Sequence, residues 1–180
     1  GWTGWRLFMK GAAQQETQMV TRSILQGLLS PVLRERVNMV NAELAAETRG
    51  ITVTEGKVKG EGRMNRVAVR IGAGKESFTA AGMVTPDNQP HITEVEGYQF
   101  DTIPAPYMIF ARNDDKPGMI GQIGTLLGAG HVNIATMQVS RKKKEGTAMM
   151  VLTVDSAVDG ATLEIVRNLD GISDAQLVRL

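Results

Sequence analysis

Cysteine is absent from the 180 residues. That excludes disulfides, thiolate zinc sites, iron–sulfur ligation and cysteine nucleophiles together, and it fits a reducing compartment such as the cytoplasm. Histidine is nearly as scarce. His91 and His131 lie far apart, with no partner at ligand or triad spacing, so each reads as a turn residue and no metal site is expected. Aromatic residues make up 4% of the chain, too few for a stacking platform on single strands. Charge of one sign is lacking as well. Twenty basic residues stand against 19 acidic ones for a formal net charge of +1, and both signs are spread over the two halves. Without a basic face there is no phosphate-backbone footprint, so no nucleic-acid partner is expected. No apolar run approaches the roughly 20 residues of a membrane-spanning helix. The cluster Trp2, Trp5, Leu7, Phe8 and Met9 is too short for one and is followed by no signal-peptide cleavage pattern, so no membrane partner is expected.

What remains is an ordinary globular composition, 42% hydrophobic and 22% charged, long enough for one domain or two small ones. The strongest punctuation is Asp101-Thr102-Ile103-Pro104-Ala105-Pro106. Two prolines there remove two backbone donors and hold their predecessors extended, which breaks both helix and central strand. A domain boundary is placed at this segment, giving domains 1–103 and 104–180.

Before the boundary, residues 5–9 suit a short strand. Val20, Ile24, Leu25, Leu28 and Leu29 mark a helix from Thr17, stopped at Ser30-Pro31. A second helix is expected over 37–49, with Val40, Leu44 and Ala45 on its packed face and Gly50 as terminator. Strands follow from Ile51, over 66–71 and over 78–84, with a turn at Gly72-Ala73-Gly74-Lys75. A hairpin is centred on Glu96-Gly97. Arg63, Arg66 and Arg70 read as an exposed sheet face, with an anion site as the alternative.

After the boundary the pattern is more regular. Residues 107–111 form an apolar strand. The segment Asn113-Asp114-Asp115-Lys116-Pro117-Gly118 launches a helix, with Pro117 suited to its first turn. Met119, Ile120, Ile123, Leu126 and Leu127 give that helix its apolar stripe. Residues 135–140 alternate as a strand, and 141–146 read as a solvated hairpin tip, with an anion site at Arg141 to Lys144 as the alternative. Residues 148–154 form a strand apolar on both faces, where Met149 and Met150 fill core gaps. A helix over 160–168, using Ala161, Ile165, Val166 and Leu169, and a strand over 174–180 complete the order βαββαβ. The fold class is therefore α+β, with a ferredoxin-like second domain.

No dinucleotide fingerprint, Walker A loop, nucleophile elbow or acid–base carboxylate pair is present, so no catalytic residue is expected. One constellation has the character of a site. A strand-to-helix turn offers free N–H groups to a carboxylate, here the backbone of Gly118, Met119 and Ile120. Asp115, and Asn133 at the opening of the next strand, offer oxygens to an ammonium. An α-amino acid needs both. The plainer alternative is that Asp115 caps the helix and Asn133 only starts a strand.

The stretches Asn113-Asp114-Asp115-Lys116-Pro117-Gly118-Met119-Ile120-Gly121 and Gly130-His131-Val132-Asn133-Ile134-Ala135 resemble the ACT domain, a small module that binds amino acids. The run from Val132 through Thr136-Met137-Gln138-Val139-Ser140 to Arg141 is similar to the C-terminal domain of D-3-phosphoglycerate dehydrogenases. In the first half, Leu28-Leu29, Val37-Asn38-Met39-Val40-Asn41-Ala42 and Glu47-Thr48-Arg49-Gly50-Ile51 resemble the intervening domain of the long form of that enzyme. Glu94-Val95-Glu96-Gly97-Tyr98-Gln99-Phe100-Asp101 resembles its last strands. The likeness runs from about residue 10 to the end.

The resemblance implies two α/β-sandwich domains, an intervening, allosteric substrate-binding-like domain over 1–103 and an ACT domain over 104–180. It implies the cytoplasmic regulatory end of a serine-biosynthetic oxidoreductase, inhibited by L-serine bound between paired ACT domains. Carried over by position, the serine contacts are Asn113, Asp115 and Asn133 with Ile134 beside it, together with backbone at Gly118, Met119 and Ile120. A homodimer is implied too. The nucleotide-binding and catalytic portions of the family are missing, so no cofactor is expected in this chain and NAD belongs to the implied parent, whether the chain is a cut fragment or stands alone. Around Pro90-His91 and 101–103 there is no lysine or arginine for the anion pocket of some long-form members. Two alternatives stay open. One is the small subunit of an iron–sulfur L-serine dehydratase, whose Ser-Ser-Ser-His-type segment is absent. The other is an ACT pair that assembles subunits without any ligand.

Overall fold

A computed structural model describes the backbone of residues 4–10, 17–33, 35–57, 65–73, 76–143 and 146–180, and the side chains of 17–33, 35–56, 66–72, 77–143 and 146–180. Trp2, Arg63, Gly74, Lys75, Lys144 and Glu145, and the side chains of the first strand, lie outside the described residues. Two compact units divide the chain, Gly1–Pro90 and His91–Leu180.

In the first unit, strand β1 (Gly4–Lys10) pairs in parallel with β2 (Thr52–Lys57) and antiparallel with β3 (Asn65–Ala73), which pairs with β4 (Glu76–Val84). A parallel pair needs a crossover, and helices α1 (Thr17–Leu29) and α2 (Ala42–Glu47) supply it. Leu25, Leu29, Val37, Ala42, Ala45, Ala46 and Ile51 form the layer between helices and sheet, with Val53 and Ile71 packed against them.

Helix α1 takes the bounds read from its periodicity, but α2 is shorter than expected. Across 37–41 the side chains of two asparagines compete for the backbone. Asn38 Oδ1 accepts from the N–H groups of Val40 and Asn41 at 2.8 and 3.1 Å, and Asn41 Oδ1 accepts from the Asn38 N–H at 2.8 Å. Such local bonds replace helical ones. The packed face differs accordingly: alanines at 42, 45 and 46 are buried, while Val40 and Leu44 are 90% and 61% exposed. Gly50, at φ +69°, ends the helix as read, with the Ile51 N–H closing back on the Ala46 carbonyl at 3.1 Å.

The second unit contains the βαββαβ fold. Its elements are β7 (Tyr107–Asp114), α3 (Met119–Ala129), β8 (Ile134–Arg141), β9 (Thr147–Val154), α4 (Gly160–Arg167) and β10 (Ile172–Arg179), in the sheet order β10-β7-β9-β8. Every pair in that sheet is antiparallel, so β7 and β8 run in the same direction. Ile109, Ala111, Met150, Leu152 and Ala175 of the sheet pack against Met119, Ile123 and Leu127 of α3 and Val166 of α4. Ile165 of α4 is 56% exposed, contrary to its expected inward position; Thr162 and Val166 are the buried pair on that helix.

The other sheet face is covered by the hairpin of β5 (Pro90–Val95) and β6 (Tyr98–Thr102). Glu96 and Gly97 both have positive φ, 49° and 79°, the geometry of a tight primed turn. Val95, Tyr98 and Phe100 of the hairpin bury Met108, Met149 and Val151. The contacts therefore group residues 91–102 with the ACT sheet, although the two prolines interrupt regular structure only later, at residues 103–106. Among the described residues no helix is long and apolar enough to cross a membrane.

Candidate functional site

A cleft of about 430 Å³ opens at the β7–α3 turn. Alternation along β7 sends Ile109, Ala111 and Asn113 to the helix side, and Asn113 is the last of the three, at the cleft wall. It is only 3% exposed. Its Nδ2 donates to the Asp114 carbonyl at 2.6 Å, and its Oδ1 has no partner among the described residues. An acceptor left unpaired in a buried place costs about 1–3 kcal/mol.

Helix α3 begins beside it. Pro117 is not in the first turn as expected but one residue before the cap, because Gly118 takes a left-handed conformation, φ +92°, and the helix starts at Met119. A glycine cap has no side chain to bond the first-turn N–H groups, and no side-chain cap bond is made among the described residues. The positive end of the helix thus faces the cleft, where Gly118, Met119 and Ile120 line it.

Asp115 does not cap α3. Its N–H donates to the Gly146 carbonyl at 2.8 Å, and its carboxylate meets Arg141 Nη1 at 3.2 Å, with Asp115 19% exposed and Arg141 57%. Arg141 ends β8 and lines the cleft with Val139. The sequence reading placed it in a solvated hairpin tip. The signal that reveals it is the topology: a βαβ crossover makes β7 and β8 parallel, so their C-terminal ends, Asn113 and Arg141, share one end of the sheet.

The same topology separates Asn133 from the helix start. Helix α3 rises about 16 Å over its 11 residues, and Asn133 and Ile134 lie beyond its far end. Asn133 Nδ2 donates to Asp155 at 2.5 Å, and the Asp155 N–H donates to the Asn133 carbonyl at 3.1 Å. Within one chain, then, Asn113, Asp115, Gly118, Met119 and Ile120 come together while Asn133 and Ile134 do not.

The turn itself is held by Lys116, whose Nζ lies 2.9 Å from Asp170 and 3.7 Å from Asp114. The Asp170 carboxylate raises the Lys116 pKa, and the ammonium lowers that of Asp170. The Lys116 stem crosses Gly171, where a Cβ would meet Lys116 Cε at 2.8 Å, and the Asp114 N–H donates to the Gly171 carbonyl at 2.8 Å. Behind the sheet, Glu96 pairs with Arg112, Tyr98 Oη bonds Thr147 Oγ1 at 2.9 Å, and Lys142 Nζ stands 4.4 Å from the Tyr98 ring centroid.

A second cleft, about 510 Å³, lies in the first unit near Thr21, Glu43, Glu47 and Glu55. The Thr21 hydroxyl donates to Glu55, and Arg22 pairs with Glu43 at 3.3 Å.

The βαββαβ sheet with an uncapped helix start and a buried free acceptor in its cleft defines an ACT domain, and residues 107–171 match the model of that family. Residues 6–96 match that of the D-3-phosphoglycerate dehydrogenase intervening domain, and the chain belongs to that family. It is 34% identical over 168 residues to the D-3-phosphoglycerate dehydrogenase of Methanocaldococcus jannaschii, 33% over 169 residues to that of Bacillus subtilis and 37% over 172 residues to that of Archaeoglobus fulgidus. In each case 93% of this chain is aligned with 32% of the relative. The chain therefore spans about a third of the length of these enzymes and corresponds to their regulatory, C-terminal region.

Proposed function

We propose that this chain is the L-serine-sensing part of a cytoplasmic D-3-phosphoglycerate dehydrogenase, binding the amino acid at the β7–α3 turn between two ACT domains and relaying feedback inhibition. The observation that carries the reading is the unpartnered, buried Oδ1 of Asn113 beside an uncapped helix start. One offers an acceptor to an ammonium, the other donors to a carboxylate. Asp115, Gly118, Met119 and Ile120 complete the wall.

Asn133 and Ile134 join the site from a second chain. Strand β8 is an edge of its sheet, and Val139 and Ile120 beside the cleft are 39% and 54% exposed. Antiparallel pairing of two β8 strands about Met137 and Gln138 sets the first residues of one strand against the last of the other. Asn133 of one chain then faces the Arg141 end of its partner. Serine would bridge the two chains and bias their arrangement, and inhibition follows if the parent's active and inactive states differ in affinity for it.

The Asp115–Arg141 pair already spanning the cleft favours a second reading, an ACT pair that assembles subunits with no ligand. Calorimetric titration of L-serine separates the two, with glycine and L-valine as comparison ligands. Saturable serine binding, abolished in Asn133→Ala while the dimer persists, is the expected result. Absence of heat with any of the three in a confirmed dimer leaves the assembly reading.

A further inference from the structure

We propose that Arg141 is the specificity-determining residue of the cleft and restricts it to ligands that carry a carboxylate; this rests on the amino-acid-binding reading above. Asn113 Oδ1, almost fully buried and without a partner, is an acceptor and selects the ammonium of a ligand. At the opposite side of the same cleft stands a guanidinium whose one charged partner among the described residues is Asp115, through Nη1 at 3.2 Å. A guanidinium has five N–H donors in a planar fork that matches a carboxylate in a two-point contact. One nitrogen directed at Asp115 fixes the side chain and leaves the other donors for a ligand.

Charge makes the same point. Arg141 and Asp115 cancel, and Lys116 is committed to Asp170 and Asp114. The remaining fixed potential at the cleft is the positive start of α3. A zwitterion with its ammonium on Asn113 places its carboxylate between that helix start and Arg141. A neutral amine or a simple alcohol leaves the fork and the helix start unmatched. The cleft thus reads the α-amino acid backbone with groups at its two ends, and the side chain of the ligand is left to Val139, Ile120 and Met150.

The test is titration of the full chain with L-serine and with ethanolamine, which keeps the ammonium and hydroxyl of serine and lacks its carboxylate. Wild type, Arg141→Gln and Arg141→Lys are compared. Arg141 is exposed and ends an edge strand, so both variants retain the fold, checked by their melting temperatures. Arg141→Gln is expected to bind serine roughly tenfold to a hundredfold more weakly with ethanolamine unchanged, collapsing the preference between them. Arg141→Lys, which keeps the charge and loses the fork, falls between. Equal weakening of both ligands would make Arg141 a support for Asp115 and overturn the proposal, as would unchanged serine affinity. Failure of wild type to bind serine, glycine or L-valine removes the sensing reading itself, and that outcome is visible before any variant is made.

Discussion

The two polar ends of Asn113 act against each other in the unliganded fold. Its Nδ2 bond to the Asp114 carbonyl contributes about 0.5–1.5 kcal/mol, while its buried, unpaired Oδ1 costs about 1–3 kcal/mol. These terms roughly cancel. Asn113→Ala is therefore expected to change the free chain's stability by no more than about 1 kcal/mol while weakening serine at least tenfold, measured by urea unfolding and calorimetry on the same preparation. A large stability loss would give Asn113 a structural role instead. At this scale most of the cleft was legible: a polar strand-to-helix turn with an early glycine marks an anion-receptive helix start. Arg141 was legible only as the lesser alternative, because a run of basic residues before Gly146 looks like a solvated tip until the parallel direction of β7 and β8 is considered. Asn133 was legible as a polar strand opener, but its distance from the helix start in one chain follows only from the length of α3.

The two helices of the ACT fold start differently, and the difference separates function from stability. Helix α3 has a glycine cap and keeps its first-turn donors open. Helix α4 is closed by Asp159, which accepts from the Thr162 N–H at 2.7 Å and the Thr162 hydroxyl at 3.0 Å. Those bonds, the backbone one first, hold the Asp159 carboxyl below its ordinary pKa. A depressed native pKa means that the unfolded state binds the proton more readily. The stabilisation is then complete above about pH 5 and fades as pH falls through the native value. Asparagine caps almost as well without titrating near this range. Stability curves of wild type and Asp159→Asn are therefore expected to run parallel above pH 5 and to separate below pH 4, with wild type falling relative to the variant, in melting temperatures taken across that range. Curves that stay parallel to pH 3 would contradict the cap's contribution.

Element existence was legible wherever one period dominated, as in α1 and β3, or where an apolar run was unbroken, as in β9. It failed where side chains bonded to the backbone, as at Asn38 and Asn41, because hydrophobic spacing carries no record of that competition. The hairpin at Glu96-Gly97 was legible from its turn, but its role as the cover of the ACT sheet was not, since packing partners distant in sequence leave no local pattern.

For the molecule as a whole, the account joins a sheet edge to a binding site. If the edge of β8 delivers Asn133 to a second chain, disrupting the edge must remove ligand binding as well as the dimer. A charge on an exposed edge opposes strand pairing. Val139→Lys is expected to sediment as a monomer and to bind no serine, although Val139 is already partly exposed and the fold should hold. A monomer that still binds serine would place Asn133 outside the site. The measurement that tests the central claim most directly is the titration of L-serine into the unaltered chain, followed by thermal or urea unfolding of the complex. The account predicts saturable binding, with the fold stabilised by about 2.7 kcal/mol at a hundred times the dissociation constant. A flat titration and an unchanged unfolding midpoint at millimolar serine, with the dimer intact, would contradict it.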